Sequence, residues 1–303
     1  MMIFSVVLVM SDVICDWLDV TYAPDDIPLP ELRKILIYAG FTLKFEAGQR
    51  VVYTMPGAGG SISIIQSKRF GKVSLSGGIC SLLRTLGLWC DVLAVLSSCP
   101  HKVTRLDAAL DVLTDAAGVI SALRSRYPTG QVALSRKALP VTTFLSVRPD
   151  GVESGTYYVG HRTAARATAR VYDKRLEQLQ RWGRDIGHEL TRYEVTARKD
   201  YGATLRDALE PAALFWHIAS PALIYRKPEG IAMWKPYGDL TGWEHEAPAL
   251  DPYAVIDRRV EFSAELAALA DVADELGAGG RLMLLRRIAT QLGLGAGDVA
   301  NIA

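Results

Sequence analysis

The sequence predicts an α+β fold, with a mostly antiparallel central sheet flanked by helices and a small helical C-terminal appendage. In the first half of the chain, short runs rich in β-branched and aromatic residues alternate with glycine- and proline-containing breakers, which is typical of hairpins. Segments with helical periodicity stand between groups of such runs, so regular βαβ crossovers are not expected. Half of the 303 residues are apolar and 22% are charged, a balance that supports a folded core.

The first half of the chain contains five predicted strands and two predicted helices. Gly48, Gly71 and the proline- and glycine-rich run at 56–60 separate the strands as hairpin loops would. The segments 29–38 and 79–96 have helical periodicity and length, so they are predicted to be helices. The strands are placed at residues 13–22, 41–46, 50–55, 62–66 and 72–76.

The second half continues the same mixture. A strand at 102–113 precedes a helix at 115–125, for which Thr114 is the predicted N-cap. Three further strands are predicted at 141–147, 155–159 and 167–174. A helix at 175–186, a strand at 189–198 and a helix at 204–218 complete the main domain.

The chain divides into two predicted units, a main domain at residues 1–235 and an appendage at 236–303. Beyond Trp234 the sequence becomes rich in proline and glycine. Two helical runs then follow at 255–276 and 280–292, split by a glycine-rich break. The appendage is therefore predicted to be a helical hairpin.

Charge is unevenly distributed along the chain, although the net charge is only +1. Residues 120–175 contain ten basic and three acidic residues, a local charge of +7. Residues 243–276 contain nine acids against two arginines. Such asymmetry indicates an anionic partner for the middle of the chain, or a solvated face on which charges happen to cluster.

The cysteines and the N-terminal segment indicate the cellular compartment in which the protein is expected. The four cysteines form no CxxC pair and have no metal-ligand spacing, as expected of free thiols in a reducing cytoplasm. The apolar segment at 1–10 is too short to span a membrane, lacks basic residues and is soon followed by acids. A cytoplasmic protein without a membrane partner is therefore expected.

Three of the predicted strands repeat an arginine followed two residues later by an acid or a tyrosine. Because side chains alternate between the faces of a strand, each strand places its polar members on one face. These sets are Arg105, Asp107 and Asp111; Arg170, Tyr172 and Lys174; and Arg192, Glu194, Thr196 and Arg198. A solvated sheet face or a buried ion network also alternates in this way. If the strands are neighbours, however, the pattern gathers carboxylates, a phenol and cations on one face.

Such a face could support phosphodiester chemistry. Carboxylates on rigid strands can hold Mg²⁺ or Mn²⁺ through oxygen ligands, and the metal would polarise a phosphodiester. A free tyrosine has a pKa near 10, and Arg170, Lys174 and the metal are expected to favour the phenolate of Tyr172. The surrounding basic segment would hold DNA by its phosphates.

Four motifs follow one another over about ninety residues. They are Thr104-Arg105-Leu106-Asp107-x-x-x-Asp111, Thr156-Tyr157-Tyr158-Val159-Gly160-His161-Arg162, Arg170-Val171-Tyr172-Asp173-Lys174-x-x-Glu177 and Arg192-Tyr193-Glu194. In their order these motifs resemble the Rep_trans family, and the resemblance covers roughly residues 16–201. The family contains rolling-circle replication initiators of plasmids and filamentous phages, with conjugative relaxases as relatives. One departure is that Thr163 and Ala164 stand where relatives often carry a serine, which suggests an altered DNA contact.

The resemblance implies a metal-dependent, sequence-specific nicking and joining enzyme whose catalytic domain is residues 1–235. Tyr172 matches the tyrosine that becomes linked to the 5′ phosphate of nicked DNA, with Arg170 and Lys174 beside it. Asp107, Asp111 and Glu194 match acidic positions associated with the metal. The predicted DNA-binding residues are Arg105, Tyr158, His161, Arg162, Arg166 and Arg192.

The spacing of the two aspartates limits the metal site. On a regular strand their Cα atoms would lie roughly 13 Å apart, so Asp107 and Asp111 cannot both reach one ion without a bulge or bend. Asp107 is favoured as the ligand because it parallels Glu194 in the repeated pattern.

Tyr158 is a rival nucleophile or a core residue, and His161 is a DNA contact, a proton donor or merely exposed.

The predicted partners are double- and single-stranded origin DNA, a second copy of the chain at least on DNA, and a host helicase. A conjugative relaxase is the alternative within the family. A non-catalytic DNA-binding regulator on the same fold is the alternative from another class.

Overall fold

The computed structural model describes residues 13–55, 59–126, 140–148, 151–161, 165–223 and 228–235, with three isolated positions at 277, 279 and 283. The predicted helical hairpin at 255–292 therefore lies almost entirely outside the described residues. Arg162 also lies outside them.

Ten strands form one sheet. They are β1 (Ile14–Tyr22), β2 (Thr42–Ala47), β3 (Arg50–Thr54), β4 (Ile62–Gln66), β5 (Gly71–Leu75), β6 (His101–Val112), β7 (Val141–Val147), β8 (Glu153–Val159), β9 (Ala167–Asp173) and β10 (Thr191–Arg198). The strand order is β2-β3-β4-β5-β1-β6-β10-β9-β8-β7, and every neighbouring pair is antiparallel. The predicted α+β fold with an antiparallel sheet is confirmed.

Seven helices accompany the sheet in the described residues. They are α1 (Leu29–Tyr38), α2 (Gly77–Thr85), α3 (Trp89–Ser97), α4 (Ala116–Arg126), α5 (Lys174–Trp182), α6 (Leu205–Leu209) and α7 (Ala212–Leu223). Helices α2, α4, α6 and α7 contact the central strands. Alternate strand residues such as Leu106, Ala108 and Val195 join the apolar core, in which all three are fully buried. The intervening residues point away from this core and form what we call the polar face of the sheet.

Three local predictions are wrong, each for a physical reason. The segment predicted as one helix at 79–96 forms α2 and α3, because Gly87 adopts a left-handed conformation with φ of +69° between them. The segment at 204–218 likewise forms α6 and α7, which are separated at Glu210 and Pro211. Asp115 rather than Thr114 caps α4, since its carboxylate accepts hydrogen bonds from the backbone amides at 117 and 118 at 3.1 and 2.9 Å.

No single helix among the described residues has the length and apolar composition needed to cross a membrane. Helices α2 and α3 meet that test only when taken together, and they are bent by 115° at their break.

Candidate active site

The strand register places six of the predicted site residues in two adjacent rows across the polar face, and Asp107 in the next row, opposite Thr196 and Trp17. The first row, from β6 to β7, consists of Asp111, Arg192, Tyr172, Thr156 and Phe144. The second row consists of Ala109, Glu194, Arg170, Tyr158 and Thr142. The three strands that carry the arginine-x-acid or arginine-x-tyrosine pattern are therefore neighbours, in the order β6-β10-β9.

Each predicted metal-binding carboxylate is paired with an arginine. Arg105 Nε and Nη2 donate to the two carboxylate oxygens of Asp107 at 2.9 and 2.5 Å. Arg192 Nε and Nη2 donate to those of Asp111, both at 2.6 Å. The third pair joins Arg170 to Glu194 Oε1 on the neighbouring strand. The first two pairs are bidentate, and such pairs are strong and directional, so they fix these side chains on the sheet.

Tyr172 lies in the middle of this network and is only 8% exposed. Its hydroxyl donates a long hydrogen bond to Glu194 Oε2 at 3.4 Å. The guanidinium carbon of Arg170 and the Lys174 ammonium lie 5.2 and 5.7 Å from the centre of its ring.

Among the protein groups around Tyr172, burial and Glu194 outweigh the cations that the sequence predicts to favour the phenolate. Burial and, next, the negative charge of Glu194 raise the pKa of the Tyr172 phenol well above its usual value. The charges of Arg192 and Arg170 oppose this rise but do not overcome it. The phenol is therefore held protonated at neutral pH and needs an acceptor for its proton when it reacts.

Asp16 is a member of the site that sequence reasoning did not single out. The register of β1 against β6 shifts between Cys15 and Trp17, so Asp16 occupies a β-bulge and departs from simple alternation. Its carboxylate accepts a hydrogen bond from Arg192 Nη1 at 2.9 Å. Burial, together with the charges of Asp107 and Asp16, raises the pKa of Glu194 to about 7, against the lowering effect of Arg170. Only its position in an early predicted strand could have drawn attention to Asp16.

The described residues contain no group of three or more histidine, cysteine, aspartate and glutamate side chains arranged to hold a metal ion. In the present arrangement Asp107, Asp111 and Glu194 are each occupied by an arginine. The carboxylates therefore do not form a ready metal site. Binding of Mg²⁺ or Mn²⁺ stays a prediction.

The turn from β9 into α5 fixes Tyr172 relative to Lys174. Asp173 caps α5 by accepting a hydrogen bond from the Leu176 amide at 2.9 Å, and Ser154 Oγ donates to its other oxygen at 2.7 Å. Lys174 Nζ donates to Glu177 Oε2 at 2.5 Å. The cation beside the tyrosine is thus held by the first turn of the helix.

A cleft of about 470 Å³ opens over Tyr172. Its walls come from β7, β8, β9 and α5, which supply Ser146, Gly155, Thr156, Tyr158, Arg170, Tyr172, Asp173, Leu176, Glu177, Gln180 and Arg181. Although Tyr158 and Tyr172 lie on different strands, both line this cleft.

The remaining predicted DNA-binding residues are more scattered. Arg105 stacks on Trp17, with its guanidinium carbon 4.4 Å from the ring centre. Arg192 is buried at 8% exposure among the acids, so it is a structural member of the site rather than an open contact. His161 is exposed just after β8, and Arg166 is exposed with its guanidinium donating to the carbonyl oxygen of Asp200.

Comparison with known proteins gives limited information. No family model matches the chain, and no curated protein matches it. Among solved structures, the chain is similar to a rolling circle replication initiator protein from Geobacillus stearothermophilus, with 19% sequence identity and a TM-score of 0.47. The match covers 70% of this chain and 85% of that chain. At this level of similarity the match does not assign a function.

Proposed function

We propose that the chain is a DNA strand-nicking and strand-joining enzyme that initiates rolling-circle replication, with Tyr172 as its nucleophile. The observation that carries the proposal is the placement of the Tyr172 hydroxyl. Tyr172 lines the cleft, its hydroxyl is hydrogen-bonded to Glu194, and Arg170 and Lys174 lie over its ring. The family motifs in the sequence support the same assignment.

The reaction would be a transesterification. The Tyr172 oxygen attacks the scissile phosphorus and forms a phosphotyrosine bond to the 5′ side of the break, while the bond from phosphorus to the 3′ oxygen breaks. The phenol proton passes to Glu194 Oε2, which already accepts its hydrogen bond. The departing oxygen takes up a proton and becomes a free 3′ hydroxyl, which can prime synthesis. In the joining direction that hydroxyl attacks the phosphotyrosine and restores the tyrosine.

The cations around Tyr172 would stabilise the negative charge of the phosphate. Arg170 is one-third exposed while it is paired with Glu194, so its guanidinium can face both the carboxylate and a bound phosphate. Lys174 lies 5.7 Å from the centre of the Tyr172 ring, is paired with Glu177 and would add a second positive charge. A bound divalent ion, expected from the family resemblance, would add Lewis-acid polarisation of the phosphodiester.

The proposed substrate is origin DNA in double- and single-stranded form, contacted through the phosphates by exposed basic residues such as Arg166. We also propose a cytoplasmic protein that acts as a dimer at least on DNA and cooperates with a host helicase. The four cysteines among the described residues are free thiols, which agrees with a reducing compartment.

Two alternatives carry different expectations. A conjugative relaxase would perform the same chemistry on a transfer origin. A DNA-binding regulator would need no nucleophile, yet the site keeps a buried tyrosine hydrogen-bonded to an acid and flanked by two cations. This arrangement favours an enzyme.

The proposal is tested with purified full-length protein and a supercoiled plasmid that carries the coding sequence and its flanking DNA. Incubation should convert supercoiled into open-circular DNA. After denaturation, the protein should remain attached to the 5′ end of the nicked strand, and mass spectrometry should place the linkage on Tyr172. Binding of the plasmid without a nick or an adduct would favour the regulator.

A further inference from the structure

An aromatic pair stands beside the proposed catalytic tyrosine on the polar face. Phe144 lies on β7, the edge strand of the sheet, and is 47% exposed. Its ring meets that of Tyr158 edge to face, with centroids 5.7 Å apart and an interplanar angle of 87°. We call Phe144 and Tyr158 the aromatic platform. The neighbours of Phe144 on the same face of β7 are Thr142 and Ser146, which are both polar. Core packing therefore does not explain the large apolar ring between them.

The register fixes the distance between the platform and the nucleophile. Phe144 pairs with Thr156, and Thr156 pairs with Tyr172, so two strand spacings, about 10 Å, separate the backbones at Phe144 and Tyr172. Tyr158 also lines the cleft that contains Tyr172, and it is directly opposite Arg170 in the strand register. Through Tyr158, the platform adjoins the row of residues that contains Arg170 and Glu194.

We propose that the aromatic platform stacks against a nucleobase of a DNA single strand that flanks the phosphate attacked by Tyr172. The inference rests on the proposed function. It adds that the single strand extends from Tyr172 toward β7. Bases stack on aromatic side chains irrespective of sequence, while adjacent cations hold the backbone. Both elements are present, since Arg170 and the 65%-exposed Arg181 line the cleft next to the platform.

A second copy of the chain is the competing occupant, because an edge strand can pair with another strand. Alternation, however, places Phe144 on the same face of the sheet as Tyr158 and Tyr172, whereas pairing with another strand would use the backbone groups of β7. The apolar side chains of β7 on the opposite face, such as Leu145 at 50% exposed, do not share that position. Leu145 therefore provides a control of similar exposure on the same strand.

The test compares two probes that carry equal charge. One is a twelve-residue thymidine oligonucleotide, and the other is a fully abasic strand of the same length. Base stacking on an aromatic side chain changes affinity by about 5- to 150-fold. Phe144→Ala in the full-length protein should weaken binding of the thymidine strand within that range and leave binding of the abasic strand unchanged. Phe144→Trp should retain thymidine binding, and Leu145→Ala should alter neither affinity.

The platform is overturned if Phe144→Ala leaves thymidine binding unchanged, or weakens both probes equally. It is also overturned if the variant changes the oligomeric state in light scattering instead of the preference for bases. Failure of the enzyme proposal would look different. A wild-type protein that prefers the thymidine strand but neither nicks nor forms an adduct would keep the platform and lose the nicking function.

Discussion

The hydroxyl of Tyr172 and the carboxylate of Glu194 lie 3.4 Å apart, on diagonal positions of two neighbouring strands. Arg192 is directly opposite Tyr172, and Arg170 is directly opposite Glu194, so phenol, carboxylate and two guanidinium groups alternate on a small part of the sheet. Glu194 divides its two oxygens between Arg170 and the phenol. Because Glu194 is 1% exposed, removing any one member leaves a buried polar group short of a partner.

Tyr172→Phe should abolish nicking and the covalent adduct while DNA binding and the fold are kept. The substitution removes only the oxygen that would attack phosphorus, and the ring can still fill the same space. Nicking of the supercoiled plasmid, adduct formation and circular dichroism measure the three properties.

Tyr158→Phe is the matched control, because it removes the other hydroxyl in the same cleft. The adduct should still form in this variant. Loss of the adduct in Tyr158→Phe together with its persistence in Tyr172→Phe would show that the nucleophile is assigned to the wrong tyrosine.

Most of the fold could be predicted from the sequence because local patterns and tertiary structure agree here. Strand β4 and strand β7 have the predicted bounds, and β6 is displaced by one residue at each end. The two helix errors arose at Gly87 and at Glu210-Pro211, where the apolar pattern continues although the backbone turns. Apolar periodicity reports which face is buried and does not register a break between two helices that bury similar faces.

The composition of the site was less predictable than its location. Alternation placed Arg170, Tyr172 and Glu194 on one face correctly, since strand periodicity determines sidedness. It could not identify Asp16, whose side chain joins the site through a β-bulge. Nor could it show that burial and Glu194 raise the pKa of Tyr172, because that depends on the three-dimensional neighbours of the phenol.

Cleavage should require Mg²⁺ or Mn²⁺, and excess chelator should stop it. Asp107→Ala and Glu194→Ala should each lose metal-dependent cleavage. Asp111→Ala should cost less, because Asp107 is the favoured ligand and Asp111, four positions along the strand, is too far away to share one ion with it. Titration of Mn²⁺ against nicking rate and against binding heat measures these effects. Full cleavage in chelator would rule out the metal mechanism.

DNA binding should weaken steeply as salt rises, because phosphate contacts release counterions. Arg166→Ala should weaken binding of all sequences alike and reduce the slope of log affinity against log salt by about 1. Arg69→Ala is the matched control, since it removes the same charge from an exposed position between β4 and β5, outside the basic segment at 120–175. Fluorescence anisotropy between low and moderate salt gives both slopes. An equal effect of the two substitutions would mean that Arg166 is not a specific phosphate contact.

The free energy of unfolding should decrease as pH rises from mildly acidic values, because the Asp207 carboxyl group loses its proton in the folded state. Burial raises the pKa of Asp207, although Trp234 Nε1 and the Thr204 amide donate to it at 2.8 and 2.9 Å. A carboxyl group with a raised pKa binds its proton more tightly in the folded state, so its contribution is greatest below the unfolded pKa of about 3.9. That contribution is lost as pH rises through the folded pKa.

Asp207→Asn should therefore flatten this part of the stability profile, because the amide oxygen can still accept hydrogen bonds but does not titrate. Urea unfolding at a series of pH values gives the free energy of unfolding for each protein. Asp200→Asn, at an exposed position, should leave the slope as it is in the wild type. Equal slopes in wild type and Asp207→Asn would contradict the prediction.

If Tyr172 is the nucleophile, it is esterified after the first cleavage, so the second attack that ends a round of replication needs another nucleophile. The neighbours of Tyr172 at three and four positions include no tyrosine, and a residue four positions away on a strand would lie roughly 13 Å off. Water, Tyr158 in the same cleft and Tyr172 of a second copy remain as sources. We expect the second copy, and hence a dimer at least on DNA.

Mixed dimers separate these sources. Wild type mixed with Tyr172→Phe should give heterodimers that nick once but cannot complete the strand transfer that releases a closed circle. Tyr158→Phe dimers should still release closed circles, because each copy keeps its own Tyr172. Gel analysis of circular products, with light scattering of the same samples on DNA, measures both properties. Release of closed circles by a demonstrably monomeric protein, at the wild-type level, would show that one copy is sufficient and that the second nucleophile lies within it.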